Sequence, residues 1–434
     1  MNYKQIISLI HQEVKPALGC TEPVAVALAA ARSCESLRET GEEPDFLEAA
    51  VSANILKNGM GVGIPGTGMI GLHIAVALAA VCGKSQYGLE VLKDLDQTAV
   101  EKAKRMVEDG KVKITLADTQ EKLYVLAKAT SAGHEAEAVV SGCHDTITSV
   151  RLDGKTVQNS SADNAEGCGG EDSPASGSNP ARELTVNEIL DFATNVPLED
   201  IEFMMDSVEM NMALVKEGFA HRYGLQVGKT INGSSHKAVF GDSLITYAMA
   251  CTAAASDARM AGCTKPAMSN SGSGNQGITV TVPVIAVAEK TGASHEQLVR
   301  ALAIAHLVAI HIKGHLGKLS ALCGCVISST GAACGIVYLR GGGYEQVCAA
   351  IKNMIGNITG MVCDGAKVGC AMKVASGVAC AMQSAVLSLD GICISPNDGI
   401  IEKDIEKTIA NLGRIGSIGM QTTDRMILDI MVGK

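Results

Sequence analysis

The pattern of apolar and polar positions divides the chain into a mixed first part and a helical second part. In the first part, segments that alternate in polarity or run with β-branched residues predict strands. The Ala-rich and helically periodic segments between them predict helices. The predicted strands are 46–57, 111–117, 122–130, 134–141 and 146–152. The predicted helices are 2–13, 69–82, 97–109 and a further helix that starts at Thr21 and includes the Ala-rich run 24–33.

A polar stretch separates the two parts. Residues 153–182 are rich in Ser, Gly, Asn and Asp, which is typical of a linker or mobile surface loop. From Leu184 onward almost every segment has helical periodicity. We therefore expect an α+β fold, with a small N-terminal α+β domain at 1–152 and a large Ala/Gly-rich, all-helical catalytic domain at 183–434. The helices predicted in the second domain are 185–193, 198–217, 242–261, 280–291, 296–312, 318–339, 344–358, 367–388 and 402–413.

The composition indicates how these helices pack and which partners are excluded. Hydrophobic residues make up 47% of the chain but aromatic residues only 3%, and there are 47 Gly, which favours close contacts between helices.

One uncharged run, Leu319 to Tyr338, is long enough to span a membrane, but its Ser, Thr and Gly content favours a buried helix. The net charge of -10 and the lack of a basic run argue against nucleic acid and anionic membranes as partners.

Fifteen cysteines are many for a chain whose N-terminus lacks the pattern of a signal peptide. We therefore predict a cytoplasmic protein in a reducing compartment, where clustered cysteines indicate metal binding or catalysis rather than disulfides. A helical domain rich in Ala and poor in aromatic residues is also compatible with a homodimer.

Cys20 lies just before a predicted helix, for which Thr21 is the candidate N-cap and Glu22 and Pro23 form the first turn. The positive end of the helix macrodipole favours a thiolate there and is expected to lower the pKa of Cys20. The alternative is an ordinary buried cysteine in a loop.

Two glycine-rich stretches precede helices. The first, 57–68, has neither the Walker A nor the Rossmann spacing, so we expect a tight turn packed against the active site. The second, 269–277, is predicted to be a loop between two helices that binds a small carboxylate or ammonium group, because it offers backbone N–H groups, hydroxyls and carboxamides but no Lys. Its candidate substrate-binding residues are Ser271, Gly272, Ser273, Gly274, Asn275 and Gln276.

Four cysteines near the C-terminal end form the candidate metal site: Cys323, Cys325, Cys363 and Cys370. Their spacing matches neither a zinc ribbon nor a ferredoxin. Three thiolates from two segments suit a 4Fe–4S cluster that keeps one iron open as a Lewis acid. The alternative is four small residues inside Ala/Gly-rich helices.

Other polar residues have weaker signals. His306, His311 and His315 favour a structural role over a metal pair, because no carboxylate accompanies them. The segments 221–224 and 257–260 are polar islands that either orient substrate or form internal ion pairs.

Five ordered motifs carry a resemblance that runs along nearly the whole chain. Together they resemble the L-cysteine desulfidase family, which is related to the catalytic α-chain of iron–sulfur L-serine dehydratases. The segment 153–182 looks like an insertion outside the family pattern. The motifs are Gly19-Cys20-Thr21-Glu22-Pro23, Asn58 to Gly68, Ser256-Asp257-Ala258-Arg259-Met260, Ser271 to Gly277, and Cys363-Asp364-Gly365-Ala366-Lys367 through Cys370.

The resemblance implies a pyridoxal-independent β-elimination of L-cysteine to pyruvate, ammonia and hydrogen sulfide. It implies that three cysteines hold a 4Fe–4S cluster: Cys363, Cys370 and either Cys323 or Cys325. It also implies that Cys20 is the base that removes the α-proton and that the substrate thiolate, or a serine hydroxyl, binds the open iron. The loop from Ser271 to Gly277 then holds the carboxylate or amine of the substrate.

Two alternative functions remain open at this point. The first is an L-serine dehydratase, because both leaving atoms bind the same iron. The second is a non-catalytic, cluster-bearing sensor of cysteine or redox state, which the presence of Cys20 and of an intact Gly-rich loop argues against, since a sensor needs no base.

Overall fold

The protein is described by a computed structural model that covers residues 1–119, 121, 123–159, 179–317 and 320–433. The expected α+β class is confirmed, with a mixed sheet in the N-terminal part and a large helical region after it. The strands are β1 (Pro16–Ala17), β2 (Phe46–Val51), β3 (Val112–Leu116), β4 (Tyr124–Thr130), β5 (Glu135–Ser141), β6 (Ile147–Leu152), β7 (Lys155–Asn159) and β8 (Ala267–Met268).

The α-helices of the N-terminal part precede β3 to β7, which follow one another directly, and most of the helices in the C-terminal part also follow one another directly. Up to the sheet they are α1 (Tyr3–Glu13), α2 (Thr21–Arg38), α3 (Ala53–Gly59), α4 (Leu72–Cys82) and α5 (Gln97–Glu108). After the sheet they are α6 (Pro180–Glu183), α7 (Val186–Asn195), α8 (Met204–Ala220), α9 (Val227–Asn232), α10 (Lys237–Phe240), α11 (Leu244–Met260), α12 (Gly274–Thr291), α13 (His295–Leu316), α14 (Gly324–Leu339), α15 (Tyr344–Ile358), α16 (Cys370–Leu389), α17 (Ile405–Arg414) and α18 (Gln421–Val432).

Six strands form one sheet in the order β3-β2-β4-β5-β6-β7, parallel between β2 and β3 and antiparallel elsewhere. Helix α2 packs on β4 and β5, and the alternating burial along these strands follows from that one covered face. The opposite face carries a row of alternating charge across five strands. This row consists of Lys113, Glu48, Lys128, Glu137 and Arg151.

The helical part packs around α12, α13 and α14, whose side chains are almost entirely buried. Small residues allow the close approach that the composition predicts: a Cβ on Gly331 of α14 would lie 2.3 Å from the carbonyl oxygen of Ala305 on α13. Close contacts between helix backbones therefore form the core together with the large side chains.

A short antiparallel pair joins the N-terminal segment to the helical part. Strand β1 pairs with β8, and the backbone of Lys15 accepts a hydrogen bond of 2.8 Å from the amide of Ser269. The chain then reaches Gly19 and Cys20 at the start of α2. Residues 250 positions apart are thereby held side by side.

Several predicted elements differ from the structure. The strand predicted at 46–57 ends at Val51, because α3 begins after Ser52. The helix predicted at 280–291 starts at Gly274, because Ser273 caps it. The predicted linker is ordered where it contributes β7 and α6, and residues 160–178 lie outside the described residues. The proposed domain boundaries stay a prediction.

Further differences concern helix ends. The helix predicted at 318–339 begins at Gly324, with residues 318 and 319 outside the described part. The sequence pattern missed α9, α10 and α18, which are short or poorly buried. Two described helices, α13 and α16, are long and apolar enough to cross a membrane by length and composition. Their apolar windows are 78% and 50% buried inside the fold, as is usual for core helices.

We predict that Gly331→Ala lowers the free energy of unfolding by about 1–3 kcal/mol, because the new methyl group would force two backbones apart. In an uncrowded helix the same change would stabilise the protein. Urea denaturation measures the difference. Gly360→Ala is the control, since a Cβ there meets no atom within 4 Å, and an equal effect in both variants would contradict the packing argument.

Candidate functional site

The N-terminal ends of four long helices meet at one place in the fold. Cys20 is the N-cap of α2, Cys323 is the N-cap of α14, Cys370 is the first residue of α16, and α12 starts beside them at Gly274. Helix N-termini carry partial positive charge and free N–H groups. The arrangement therefore suits anionic ligands and anionic side chains.

Cys20 is buried, with 5% of its surface exposed, and packs with Val62, Met260 and Cys370. Burial raises the pKa of its thiol to about 11, while the charge and hydrogen bond of Arg259 lower it. The expectation of a lowered pKa is therefore wrong for this conformation, because loss of hydration outweighs the helix end. The expected N-cap is also shifted by one residue, since Thr21 is the first helical position.

The first glycine-rich stretch packs against this site as expected. The amide of Gly63 donates to the carbonyl of Met260 at 2.9 Å, and Gly61 forms a bridge with Lys367. A Cβ on Gly63 would lie 2.5 Å from the backbone of Ala261, so only glycine permits this contact.

Arg259 is the cation of the site, and its side chain is 5% exposed. One guanidinium nitrogen donates to the carbonyl of Gly19 at 2.9 Å, and another lies 3.4 Å from Oδ1 of Asn275. Its Nε has no hydrogen-bond partner, and within the described ranges no carboxylate forms an ion pair with it. A buried charge without a counter-ion is costly, so the position favours binding of an anion.

Asp257 does not pair with Arg259, which removes the internal ion pair that the sequence left open. Its carboxylate accepts from the amide of Gly228 at 3.0 Å, at the start of α9. Burial raises the pKa of Asp257 to about 6, against the effect of the backbone N–H groups around it.

The predicted substrate loop is partly helix. Ser271, at φ 49°, and Gly272 form a turn in the left-handed region, and the Ser273 hydroxyl caps α12. Gly274 leaves room for Arg259, since a Cβ would lie 2.2 Å from Nε. The amide oxygen of Asn275 accepts hydrogen bonds from Arg259 and Ser256, whereas Oε1 of Gln276 is buried without a partner.

The candidate metal ligands come from two segments that pair through their backbones. The amide of Cys323 donates to Met361 at 3.0 Å, and that of Cys363 donates to Ala321 at 2.7 Å. Burial and the nearby Cys363 and Cys370 raise the pKa of Cys323 to about 12. These three thiols thus lie within electrostatic reach of one another.

Burial and the nearby Cys323 and Cys370 raise the pKa of Cys325, which therefore also lies within electrostatic reach of them, but its side chain makes different contacts. Its thiol donates to the carbonyl of Lys373 at 3.1 Å, and it faces Gly377, where a Cβ would lie 2.4 Å from the sulfur. It fills the interface between α14 and α16.

Cations surround the three other cysteines. Lys373 donates to the carbonyl of Val362 at 2.8 Å, forms an ion pair with Asp364, and lowers the pKa of Cys323. Lys367 also pairs with Asp364. Soft thiolates beside lysines and helix N-termini fit an anionic iron–sulfur cluster. In the part of the chain that is described, no three His, Cys, Asp or Glu side chains are arranged to hold a single ion.

The histidines support the structural interpretation. His306 is fully buried, contacts Nδ2 of Asn270 at 3.1 Å and the hydroxyl of Thr281 at 3.3 Å, and burial lowers its pKa to about 3. The neutral imidazole of His306 therefore supports the turn that precedes α12. His311 contacts a carboxylate after all, since Glu406 lies 2.7 Å from its Nε2.

The sequence left two roles open for the segment that contains Arg259, substrate orientation or an internal ion pair, and did not choose between them. A usable signal was present, because Arg259 lies in an Ala-rich helix and the residues three and four positions away are Ser256, Gly262, Ala255 and Cys263. None of these is acidic. An arginine in such a helix without a local counter-ion indicates a ligand or a distant partner.

Comparison with known proteins gives matches along the whole chain. A profile of the family described as serine dehydratase alpha chain matches residues 86–429. A UPF0597 protein of Bacteroides fragilis is 48% identical over 432 residues, which cover 99% of this chain and 98% of the relative. UPF0597 proteins of Oleidesulfovibrio alaskensis and Shewanella pealeana are 49% and 44% identical, over 100% and 99% of this chain and 98% of each relative.

We predict that Cys325→Ala retains iron after anaerobic reconstitution, because its thiol is used in helix packing. Alanine at Cys323, Cys363 or Cys370 is expected to lose most of the bound iron and the visible absorbance of the protein. Iron and sulfide analysis measures both. Cys334→Ala controls for removal of a buried cysteine. Loss of iron in the Cys325 variant with retention in the Cys323 variant would reverse the assignment.

Proposed function

We propose that this chain, which belongs to the family of serine dehydratase alpha chains, is a lyase. The proposed reaction cleaves L-cysteine to pyruvate, ammonia and hydrogen sulfide. Membership in this family supports a dehydratase or lyase reaction on a small amino acid. The choice of cysteine rests on the resemblance of its motifs to cysteine desulfidases.

One observation carries the proposal: the guanidinium of Arg259, whose Nε lacks a hydrogen-bond partner and which has no carboxylate partner among the described residues, lies against the buried thiol of Cys20. The guanidinium is a receptor for the substrate carboxylate, and a carboxylate there brings Cα close to Cys20. The same guanidinium favours the thiolate form of Cys20 against the effect of burial. A carboxylate receptor and a base are thereby adjacent.

Cys323, Cys363 and Cys370 are proposed to hold a 4Fe–4S cluster. When bound, the cluster supplies an open iron that acts as a Lewis acid toward the leaving group. Lys373 and Lys367 offset the negative charge of the thiolates, and Asp364 holds both lysines in place. Cys325 has a packing role in this proposal.

The residues of the chain then act as follows. Arg259 and the first turn of α12 bind the carboxylate, and the thiolate of Cys20 accepts the α-proton. The electron pair of the Cα–H bond forms a Cα=Cβ bond, and the Cβ–S bond breaks with its electrons on sulfur. The proton returns from Cys20 to the departing sulfide. The aminoacrylate that remains tautomerises to an imine, which one water hydrolyses to pyruvate and ammonia.

L-Serine is the second candidate substrate, and the description of the family supports it. The preference for cysteine rests on the resemblance of the motifs, because the leaving atom of either substrate is proposed to bind the open iron and not the apolar side chains of Val62 and Met260 beside Cys20.

We predict that anaerobically reconstituted protein releases sulfide and pyruvate from L-cysteine in equal amounts, with a higher kcat/KM than for pyruvate release from L-serine. Coupled assays for pyruvate and sulfide measure both reactions. Apoprotein prepared from the same batch is the control. Pyruvate from serine alone would make the protein a dehydratase, and neither product with full cluster loading would favour a sensor.

We predict that Cys20→Ser retains iron and colour but loses turnover by at least about 10²-fold, because a hydroxyl is a much weaker base than a thiolate. Cys34→Ser, on the same helix and also buried, is the control. Turnover of Cys20→Ser at the wild-type rate would remove Cys20 from the mechanism.

A further inference from the structure

Two buried polar atoms without a hydrogen-bond partner lie at the start of α12, and they are of opposite kind. Nε of Arg259 is a donor on a cation, and Oε1 of Gln276 is an acceptor. The two residues are 5% and 7% exposed, so water does not readily satisfy either atom. Native proteins rarely leave such atoms unpaired, and each indicates a missing partner of the opposite kind.

The other polar groups around the site are mostly donors. The helix N-termini present N–H groups, and Arg259, Lys367 and Lys373 bring positive charge. Oδ1 of Asn275 is shared between Arg259 and the hydroxyl of Ser256, each at 3.4 Å. This positive charge would repel an ammonium group unless the group found a hydrogen-bond acceptor, and Oε1 of Gln276 is a buried acceptor without another partner.

The two residues that carry the unpaired atoms have different neighbours. Arg259 contacts Gly19 and lies beside Cys20. Gln276 instead borders Gly324, next to Cys323, and a Cβ on Gly324 would lie 2.9 Å from its Cδ. A zwitterion between them therefore has one orientation, with its carboxylate on the Cys20 side and its ammonium on the Cys323 side.

We infer that Oε1 of Gln276 accepts a hydrogen bond from the α-ammonium group of the substrate and thereby restricts the site to free α-amino acids. This inference rests on the proposed function and adds the group that binds the amine of the substrate. It follows that thiols with a carboxylate but no amine bind weakly, and that an acylated amine is rejected.

Binding, rather than turnover, is the sharpest test. In a Cys20→Ser background the substrate is expected to be consumed at least about 10²-fold more slowly, so the affinity of the cluster-loaded protein for L-cysteine can be measured by calorimetry. The comparison ligand is 3-mercaptopropionate, which keeps the thiol and the carboxylate but lacks the amine. We expect L-cysteine to bind about 10- to 100-fold more tightly, the range for one hydrogen bond to a charged group.

Gln276→Leu removes the acceptor while keeping the volume of the side chain. We expect it to weaken L-cysteine to the level of 3-mercaptopropionate and to leave 3-mercaptopropionate nearly unchanged. Gln383→Leu, on the exposed face of α16, is the matched control and should alter neither affinity. Iron content shows that each variant is loaded.

The outcomes separate the two proposals. Equal affinity of the Cys20→Ser protein for both ligands, or equal weakening of both by Gln276→Leu, would overturn the role of Gln276 and leave the lyase proposal standing. Binding of neither ligand by fully loaded protein would overturn the lyase proposal itself. A selective loss for L-cysteine supports the role of Gln276.

Discussion

The structure of the site depends on one buried positive charge, the guanidinium of Arg259. It lies at the end of α11, without a carboxylate partner among the described residues, and contacts the chain at Gly19 and Asn275. Holding an uncompensated charge there costs several kcal/mol, and the surrounding backbone and amide oxygens offset only part of it. Gly274 is required beside it, since any side chain would displace the guanidinium. The same charge accounts for the proposed recognition of a carboxylate and for the proposed stabilisation of the Cys20 thiolate.

The N-terminal part of the chain contributes to the site through the start of α2 and the glycine-rich stretch around Val62. Helix α2 starts directly after Cys20 and packs on β4 and β5, so the sheet fixes the direction in which the thiol enters the helical part. The pairing of β1 with β8 and the turn around Gly63 hold the other side of this connection. The α+β part thus positions Cys20 next to residues of α11, α12 and α16.

The proposed roles divide the site by chemistry. Thiols that face cations and helix N-termini suit a cluster, a buried arginine suits a carboxylate, and a lone amide oxygen suits an amine. Cys325 shows that proximity in sequence does not decide these roles: only two residues from Cys323, it points into the packing of α14 against α16. In the proposal, this division of roles lets the site distinguish an amino acid from a simple thiol.

The sequence by itself determined the class of fold, most helices, the glycine turn beside the site and the cysteines worth testing. These features depend on local periodicity, on composition and on short sequence motifs that resemble those of a known family. Only the tertiary structure showed that burial raises the pKa of Cys20, because Val62 and Met260, which pack with it, are remote in sequence. It alone showed that Cys325 packs against α16 and that Nε of Arg259 and Oε1 of Gln276 lack hydrogen-bond partners. Whether a polar atom lacks a partner is a property of packing, and no local pattern records it.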